Sequence, residues 1–349
     1  MKTREYKVHF NTPAFLGNAG QDGQWRTPPF KALLRQWWRL AYAAGRHQQP
    51  GLVAAMRQAE GRLFGVAADS QGSSRKSLVR IRLDRWDLGR LGNWTPLAKV
   101  SHPETRFPVG SDLYLGYGPL TLPRNAREPQ LKASAAIQAG EEAMLSLAWP
   151  DADEPHLDQA LWLMDRYGTL GGRSRNGWGS MELLSGSQET PALTGPLADS
   201  LTRRWQDCLR LDWPHALGQD GTGPLIWRTL PHGDWKSLLV TLAKLKIGLR
   251  TQFQFTMGNA QAPEARHWLS YPVTNHTVGR WGNNARLPNS LRFKVRRGAD
   301  GQMYGVVFHV PCLPPASFRP DQRTIEGVWD QVHRFLDAQP PATLSRTPA

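Results

Sequence analysis

The sequence predicts an α+β protein of two domains, the first of them ferredoxin-like. At 349 residues the chain is longer than one hydrophobic core usually organises. Its first half alternates period-2 apolar stretches with stretches of helical spacing, in the order strand, helix, strand, strand, helix, strand. This is the split β-α-β-β-α-β order of a ferredoxin-like unit.

Each element of the first half has a local signal. The predicted strands are residues 6–10, 78–83, 143–149 and 180–184, and the predicted helices are residues 30–42, 52–64 and 156–167. Thr27 is predicted to cap the first helix, with Pro28 and Pro29 in its first turn. In the second strand the alternation places Arg80 and Arg82 on one face.

The remaining segments define an insertion and a second domain. Residues 86–126 are rich in Gly, Pro and Tyr and predict hairpins or loops inserted into the first domain. The Ser, Gly, Thr and Pro of residues 185–197 place the boundary there, giving domains 1–190 and 191–349.

The second domain is predicted to be a degenerate ferredoxin-like unit. Its signals are a basic amphipathic helix at 235–250 carrying Lys236, Lys244, Lys246 and Arg250, a hairpin of 291–296 with 303–311, and a closing helix at 324–336. Residues 340–349 are expected to be a frayed tail.

Composition indicates a polyanionic partner. The chain has 43 Lys+Arg against 29 Asp+Glu, a net charge of +14, although an arginine-rich proteome gives the same excess. Two cysteines without a C-x-x-C pair support neither a disulfide framework nor a cysteine zinc site, and no cofactor is expected. Without a secretory apolar region or a membrane-length apolar stretch, we expect a soluble, cytoplasmic protein with no membrane partner.

The most informative motif is the glycine-arginine loop of residues 168–180. Its candidate RNA-binding residues are Gly171, Gly172, Arg173, Ser174, Arg175, Asn176, Gly177 and Trp178. Glycine amides at 171, 172 and 177 are predicted to face phosphate oxygens, the arginines to add charge, and Trp178 to stack on a base. The alternative is a β-turn with two solvated arginines.

Two further clusters place cations beside aromatic side chains. The first, on the helix at 30–42, consists of Lys31, Arg35, Trp38 and Arg39, and the second consists of Arg280 and Trp281, followed by Arg286. Trp38 suits a domain interface equally well, and the Arg280 cluster suits an ordinary turn with exposed charge. Trp37 is predicted to lie in the core.

Four segments together resemble a known family. They are Phe10-Asn-Thr-Pro-Ala-Phe-Leu-Gly17, the helix Lys31-Ala-Leu-Leu-Arg-Gln-Trp-Trp-Arg39, Leu63-Phe-Gly65 and the loop Gly171-Gly-Arg-Ser-Arg-Asn-Gly-Trp-Gly179. In order and spacing they resemble the first RAMP subunits of the Cmr complex, the type III-B CRISPR effector. The resemblance covers about the first 185 residues, and it departs from the family at Ala32, where glycine is common.

The resemblance implies two fused ferredoxin-like, RRM-related domains and a subunit at the head of an antiviral ribonucleoprotein. Such subunits contact the 3′ region of guide RNA and its paired target, and have the other Cmr subunits as partners. The family is regarded as non-catalytic.

Two alternatives remain at this point. One is a metal-independent endoribonuclease that processes guide RNA, for which His9, His47 and His276 are scattered candidate bases. The other is a purely architectural capping subunit whose cations meet acidic proteins. A metal-dependent nuclease is disfavoured, since the cluster of Asp151, Asp153 and Glu154 falls in a turn.

Overall fold

The computed structural model describes residues 1–67, 74–282 and 284–347 as a mixed α/β protein. The strands in these residues are β1 Lys2–Phe10, β2 Arg80–Leu83, β3 Lys99–Val100, β4 Val109–Gly110, β5 Leu120–Thr121, β6 Gln130–Leu131, β7 Glu142–Trp149, β8 Met181–Ser185, β9 Thr202–Arg204, β10 Leu217–Asp220, β11 Gly223–Pro224, β12 Ile226–Thr229, β13 Asn259–Ala260, β14 Thr277–Val278, β15 Leu291–Arg297, β16 Met303–His309 and β17 Leu344–Arg346. The helices are α1 Thr27–Ala43, α2 Leu52–Phe64, α3 Ser111–Gly116, α4 Glu154–Tyr167, α5 Trp205–Cys208, α6 Trp235–Thr251 and α7 Gln322–Asp337.

The chain divides into two compact units that are discontinuous in sequence. The first comprises Met1–Thr95, Gly116–Leu201 and Lys294–Arg297, and the second comprises Pro96–Leu115, Thr202–Phe293 and Gly298–Ala349. Composition predicted a single division after residue 190. In the structure residues 96–115 group with the second unit and residues 294–297 group with the first.

The first unit is built on an antiparallel sheet of order β2-β7-β1-β8. Burial alternates along β7 from Ala143 to Trp149, so one face of the sheet lies in the core and the other is open. Helices α1 and α4 pack against each other, and their buried apolar stripes supply the rest of this core. Leu157, Leu161 and Met164 of α4 are buried, as the helical spacing predicted.

The first helix begins differently from the prediction. Arg26 occupies the position before α1 with an extended backbone and no capping side chain, and Thr27 is already the first helical residue. Pro28 lies in the first turn, where a missing backbone N–H costs no helical hydrogen bond. The proline signal located this helix correctly, whereas Thr27 as the cap was wrong.

The predicted insertion at 86–126 and the residues just after it form two small hairpins separated by a short helix. Strands β3 and β4 pair with each other, α3 follows directly, and β5 pairs with β6. Residues 96–115 group with the second unit, whereas the β5-β6 hairpin groups with the first.

The second unit has a four-stranded sheet of order β15-β16-β12-β17. Its elements follow the chain as β12, α6, β15, β16, α7 and β17, which repeats the element order of the first unit. Ile325, Val328 and Val332 of α7 are buried, as predicted for one face of the closing helix.

Two predictions for the second domain were wrong. Residues 344–346 of the expected tail form β17, which pairs antiparallel with β12 from Thr229 to Trp227. The basic helix predicted at 235–250 is present as α6, but Lys246 and Arg250 are buried. The Lys246 ammonium lies 6.0 Å from the Tyr114 ring, and the Arg250 guanidinium donates to the Ser270 hydroxyl at 2.7 Å. Of the four predicted cations of this helix, Lys236 and Lys244 are the exposed ones.

Candidate nucleic-acid interface

The glycine-arginine loop is folded onto the protein's own backbone. The amide of Gly172 donates to the Phe15 carbonyl at 2.9 Å, and the amide of Gly177 donates to the Ser174 carbonyl at 3.3 Å. The prediction that these two amides face a phosphate is therefore wrong for this conformation. The positive φ angles predicted for glycine occur at Gly171, at 94°, and Gly177, at 92°.

Close packing explains why glycine occupies these positions. A Cβ atom on Gly171 would lie 2.7 Å from the Phe15 carbonyl oxygen, and one on Gly172 would lie 2.9 Å from Pro119 Cγ. At Gly179, with φ of 61°, it would lie 1.8 Å from the Leu170 carbonyl oxygen. The glycines let neighbouring segments of the protein approach each other.

Trp178 does not offer a face to solvent. Its side chain is completely buried, and its ring lies 5.4 Å from that of Phe15 and 5.5 Å from that of Trp94. The prediction of base stacking by Trp178 is thus corrected, since the indole belongs to the core beneath the loop. Asn176 is buried as well, and Ser174 and Arg175 are half-buried.

Arg173 is the loop side chain that faces outward. It is exposed and has a left-handed backbone, with φ of 56°, at the tip of the loop. Its Nε atom donates to the main-chain oxygen of Tyr117 at 2.5 Å. In the described part of the chain, no carboxylate lies within ion-pair distance of its guanidinium.

Whereas Trp178 is buried, Tyr117 is an exposed aromatic residue near the loop. Its side chain is 62% exposed, and it begins the turn that leads into β5. The Gly118 amide donates to the Leu120 carbonyl at 3.0 Å, which closes this turn. An exposed aromatic side chain, on a residue whose main chain holds an arginine without a carboxylate partner, is an arrangement that suits a base and its phosphate. Sequence analysis missed Tyr117 because it lies in an irregular segment 56 residues before Arg173.

The β5-β6 hairpin extends the positive charge away from Tyr117. The cations exposed between its strands and just after them are Arg124, Arg127 and Lys132. The Lys132 amide donates to the Pro119 carbonyl at 2.9 Å, so the base of the hairpin is fixed next to the Tyr117 turn.

The predicted cationic flank of α1 exists and is partly neutralised. Lys31, Arg35 and Arg39 follow one another at four-residue spacing and are all half-buried. The carboxylate of Glu60 on α2, itself buried, pairs with both Arg35 and Arg39, the latter at 2.8 Å. Burial and the neighbouring Arg35 lower the pKa of Lys31. The flank therefore carries two positive charges in excess.

Trp38 is a core residue. Its side chain is 2% exposed and packs against Tyr42 at 4.9 Å and Phe64 at 5.6 Å between ring centroids. Including Trp38 among the RNA-binding residues was wrong, because a buried indole has no free face for a base. Trp37 is buried too, as predicted.

The Arg280 cluster belongs to the second unit. Trp281 donates its indole N–H to the Phe318 carbonyl at 3.0 Å, and its ring packs against those of Trp268 and Tyr271 at 5.2 and 5.0 Å. Trp281 therefore anchors a short helical turn, whereas Arg280 is exposed. This matches the turn with exposed charge that the sequence also allowed.

The described residues contain no group of three or more His, Cys, Asp or Glu side chains placed to hold a metal ion. The candidate general bases His9 and His276 are engaged within the fold. His9 lies 2.9 Å from a Glu142 oxygen, and His276 stacks on Phe255 at 3.8 Å. Within the part of the chain that the structure describes, no helix is long and apolar enough to cross a membrane.

Residues 9–182, which contain the end of β1, the whole of α1, the glycine-arginine loop and the start of β8, match the RAMP superfamily model. The chain belongs to the RAMP superfamily. The superfamily predicted from the sequence is thus confirmed, and its RAMP domain includes Arg173, Tyr117 and the α1 flank. No match was found among the curated proteins.

Three solved structures are similar to this RAMP protein. Cmr1 from Pyrococcus furiosus in its apo form is 16% identical over 90% of each chain, with a TM-score of 0.44. A chain of the type III-B Cmr-β complex bound to cognate target RNA is 10% identical over 95% of this chain and 99% of that one, with a TM-score of 0.48. A chain of a type IV-B CRISPR complex is 15% identical over 55% of this chain and 96% of that one, with a TM-score of 0.30.

Proposed function

We propose that the chain is a non-enzymatic RNA-binding subunit of a type III-B CRISPR interference complex, contacting guide RNA and its paired target. The observation that carries the proposal is the exposed side chain of Tyr117, whose main-chain oxygen accepts a hydrogen bond from Arg173, an arginine without a carboxylate partner in the described residues. Membership of the RAMP superfamily and the motifs shared with the first RAMP subunits of the Cmr complex support it.

The recognition is of backbone and shape. Arginine binds phosphate oxygens bidentately whatever the base, and an aromatic ring stacks on any base. A guide accepts any spacer sequence, so contacts of these two kinds suit it. Arg124, Arg127 and Lys132 of the β5-β6 hairpin add sequence-independent attraction next to Tyr117.

The fold we propose for both units is ferredoxin-like. In the first unit the strands lie in the order β2-β7-β1-β8, and in the second in the order β15-β16-β12-β17. Numbered along the chain within each unit, both strand orders are 2-3-1-4, as expected for a split β-α-β-β-α-β unit. The two helices of that pattern are α1 and α4 in the first unit and α6 and α7 in the second.

The test is the salt dependence of RNA binding by the full chain. For single-stranded RNA of several unrelated sequences, we expect Arg173→Ala to weaken binding equally and to reduce the slope of log affinity against log salt by about 0.7, the value for one phosphate contact. The matched control is Arg334→Ala, an exposed arginine paired with Asp330 at 3.4 Å, which leaves both quantities unchanged. Unchanged affinity and slope in Arg173→Ala would contradict the proposed site.

The non-enzymatic part is tested separately. Purified chain is incubated with labelled guide RNA and with a copy that lacks the 2′-hydroxyls, and the expected result is that both remain intact. Cleavage of the first but not the second identifies a metal-independent ribonuclease and overturns this part of the proposal.

A further inference from the structure

The open face of the first sheet contains a groove of about 230 Å³. We call it the sheet groove, and the side chains that line it from this face are Thr3, Glu5, Arg80, Arg82, Ser146 and Ala148. The strand register arranges them in two rows. Ala148 lies between Thr3 and Arg80, and Ser146 lies between Glu5 and Arg82.

The charge of the groove is positive on one side. Arg80 and Arg82 are both exposed, and in the described residues neither has a carboxylate within ion-pair distance. Glu5 is the acidic residue of the groove, and it accepts a hydrogen bond from the Ser146 hydroxyl at 3.0 Å. Arg4 is directed away from the open face, since its guanidinium pairs with Glu154 of α4 at 2.7 Å. Arg80 and Arg82 therefore give the groove two positive charges against the one negative charge of Glu5, which is already hydrogen-bonded to Ser146.

The shape of the groove selects a thin, extended ligand. Thr3, Ser146 and Ala148 are small, so a chain can lie close to the sheet between the arginines and β1. Arg80 and Arg82 are two residues apart on one strand, which separates their Cα atoms by about 6.8 Å. Successive phosphates of an extended polynucleotide strand have a comparable separation, and each guanidinium can bind one phosphate through two N–H donors.

We infer that the sheet groove is a second RNA-binding site, which holds the sugar-phosphate backbone of a single strand with Arg80 and Arg82 on successive phosphates. None of its lining residues is aromatic, so no base stacks there and the contact is to the backbone alone. The inference rests on the proposed function, since it assigns a second surface to the same ligand class. It uses no residue of the Tyr117 and Arg173 site.

The test compares matched double variants of the full chain. We expect Arg80→Ala with Arg82→Ala to reduce the slope of log affinity against log salt by about 1.4, twice the value for one phosphate of a single strand. Replacing both with lysine keeps the slope and lowers the affinity, because lysine retains the charge without the planar pair of donors. The control is Arg57→Ala with Lys76→Ala, which removes the same charge from exposed positions of the first unit outside the groove.

The outcomes separate this inference from the proposed function. If Arg173→Ala weakens RNA binding and the Arg80 and Arg82 double variant does not, the groove is not an RNA site although the protein binds RNA. If the wild-type chain shows no salt-dependent RNA binding, the proposed function fails first. If a polyglutamate peptide binds with an affinity that needs Arg80 and Arg82 while RNA binding does not, the groove serves an acidic protein partner and the inference is overturned.

Discussion

The Nε atom of Arg173 donates a 2.5 Å hydrogen bond to the main-chain oxygen of Tyr117. This bond joins the tip of the glycine-arginine loop to the turn that begins the β5-β6 hairpin. A guanidinium whose Nε donor is engaged in this way keeps its terminal nitrogens for other acceptors. An exposed aromatic residue and a cation held by its main chain thus lie in the same RAMP domain.

Replacing Tyr117 is expected to weaken RNA binding through lost stacking. Tyr117→Ala should cost about 1–3 kcal/mol of binding free energy with single-stranded RNA, whereas Tyr117→Phe retains most of the affinity because the ring remains. Fluorescence anisotropy with labelled RNA measures both. Trp86→Ala is the control, since Trp86 is another exposed aromatic of the first unit, at 54% exposure. Equal losses for Tyr117→Ala and Trp86→Ala would argue against a specific stacking site.

Removing the charge of Glu60 is expected to destabilise the first unit. In Glu60→Gln, Arg35 and Arg39 lose the carboxylate that separates them, and a buried polar group is left with weaker partners. We expect the free energy of unfolding to fall by about 1–3 kcal/mol, since both arginines are partly solvated. Urea unfolding measures the change. RNA affinity of the folded variant should not fall, because the positive charge of the α1 flank increases.

Alanine substitutions at two glycines with positive φ are expected to separate the stability cost of backbone strain from that of a steric clash. Gly140→Ala, with φ of 88° and open space around it, should cost about 1 kcal/mol from backbone strain alone. Gly179→Ala should cost more than about 3 kcal/mol, because its Cβ overlaps the Leu170 carbonyl oxygen and the loop must shift. Thermal unfolding of the two variants side by side gives the comparison. Similar losses at both positions would mean that the loop accommodates a side chain.

Acidification is expected to destabilise the second unit through a buried histidine pair. His333 Nε2 lies 2.9 Å from His309 Nδ1, and burial lowers the pKa of His333 to about 3 and holds that of His309 well below its ordinary value. Each folded-state pKa is depressed below the unfolded value of about 6.5, so the unfolded chain binds more protons as the pH falls. The stability present above about pH 6.5 is lost on the way down, and His333 alone accounts for a loss of about 2 kcal/mol at about pH 5.

Urea unfolding at a series of pH values between neutral and mildly acidic tests this. In His333→Phe this titrating group is removed, so the loss of stability between neutral pH and about pH 5 should be smaller than that of the wild type by about 2 kcal/mol. A variant with the full wild-type slope would show that the pair does not control the acid sensitivity.

Sequence patterns located helices and strands correctly wherever the spacing of apolar residues matches the residues that the fold buries. The predicted helix at 52–64 matches α2 residue for residue. The alternation of 78–83 placed Arg80 and Arg82 on one face of β2, and in the structure both are exposed. The failures share a physical cause, because the pattern of residue types along a sequence does not reveal which distant residues pack over a given side chain. Trp38 and Trp178 were assigned to RNA because they adjoin arginines, yet each fills a space between other rings.

The candidate site was only partly predictable for the same reason. Arg173 could be found in the loop itself, whereas Tyr117 is brought to it by tertiary structure from a segment without periodicity. Strand β17 was missed because the last residues of a chain are usually poorly ordered, although this strand completes the sheet beside β12.

Backbone amides of the glycine-arginine loop are hydrogen-bonded within the protein in the absence of a ligand. A surface that already holds its bound shape loses little conformational entropy on association, so a strand can dock in one diffusional step. The affinity of this loop should then be governed by how fast the RNA leaves, and loosening the Phe15 contacts should shorten residence rather than slow capture.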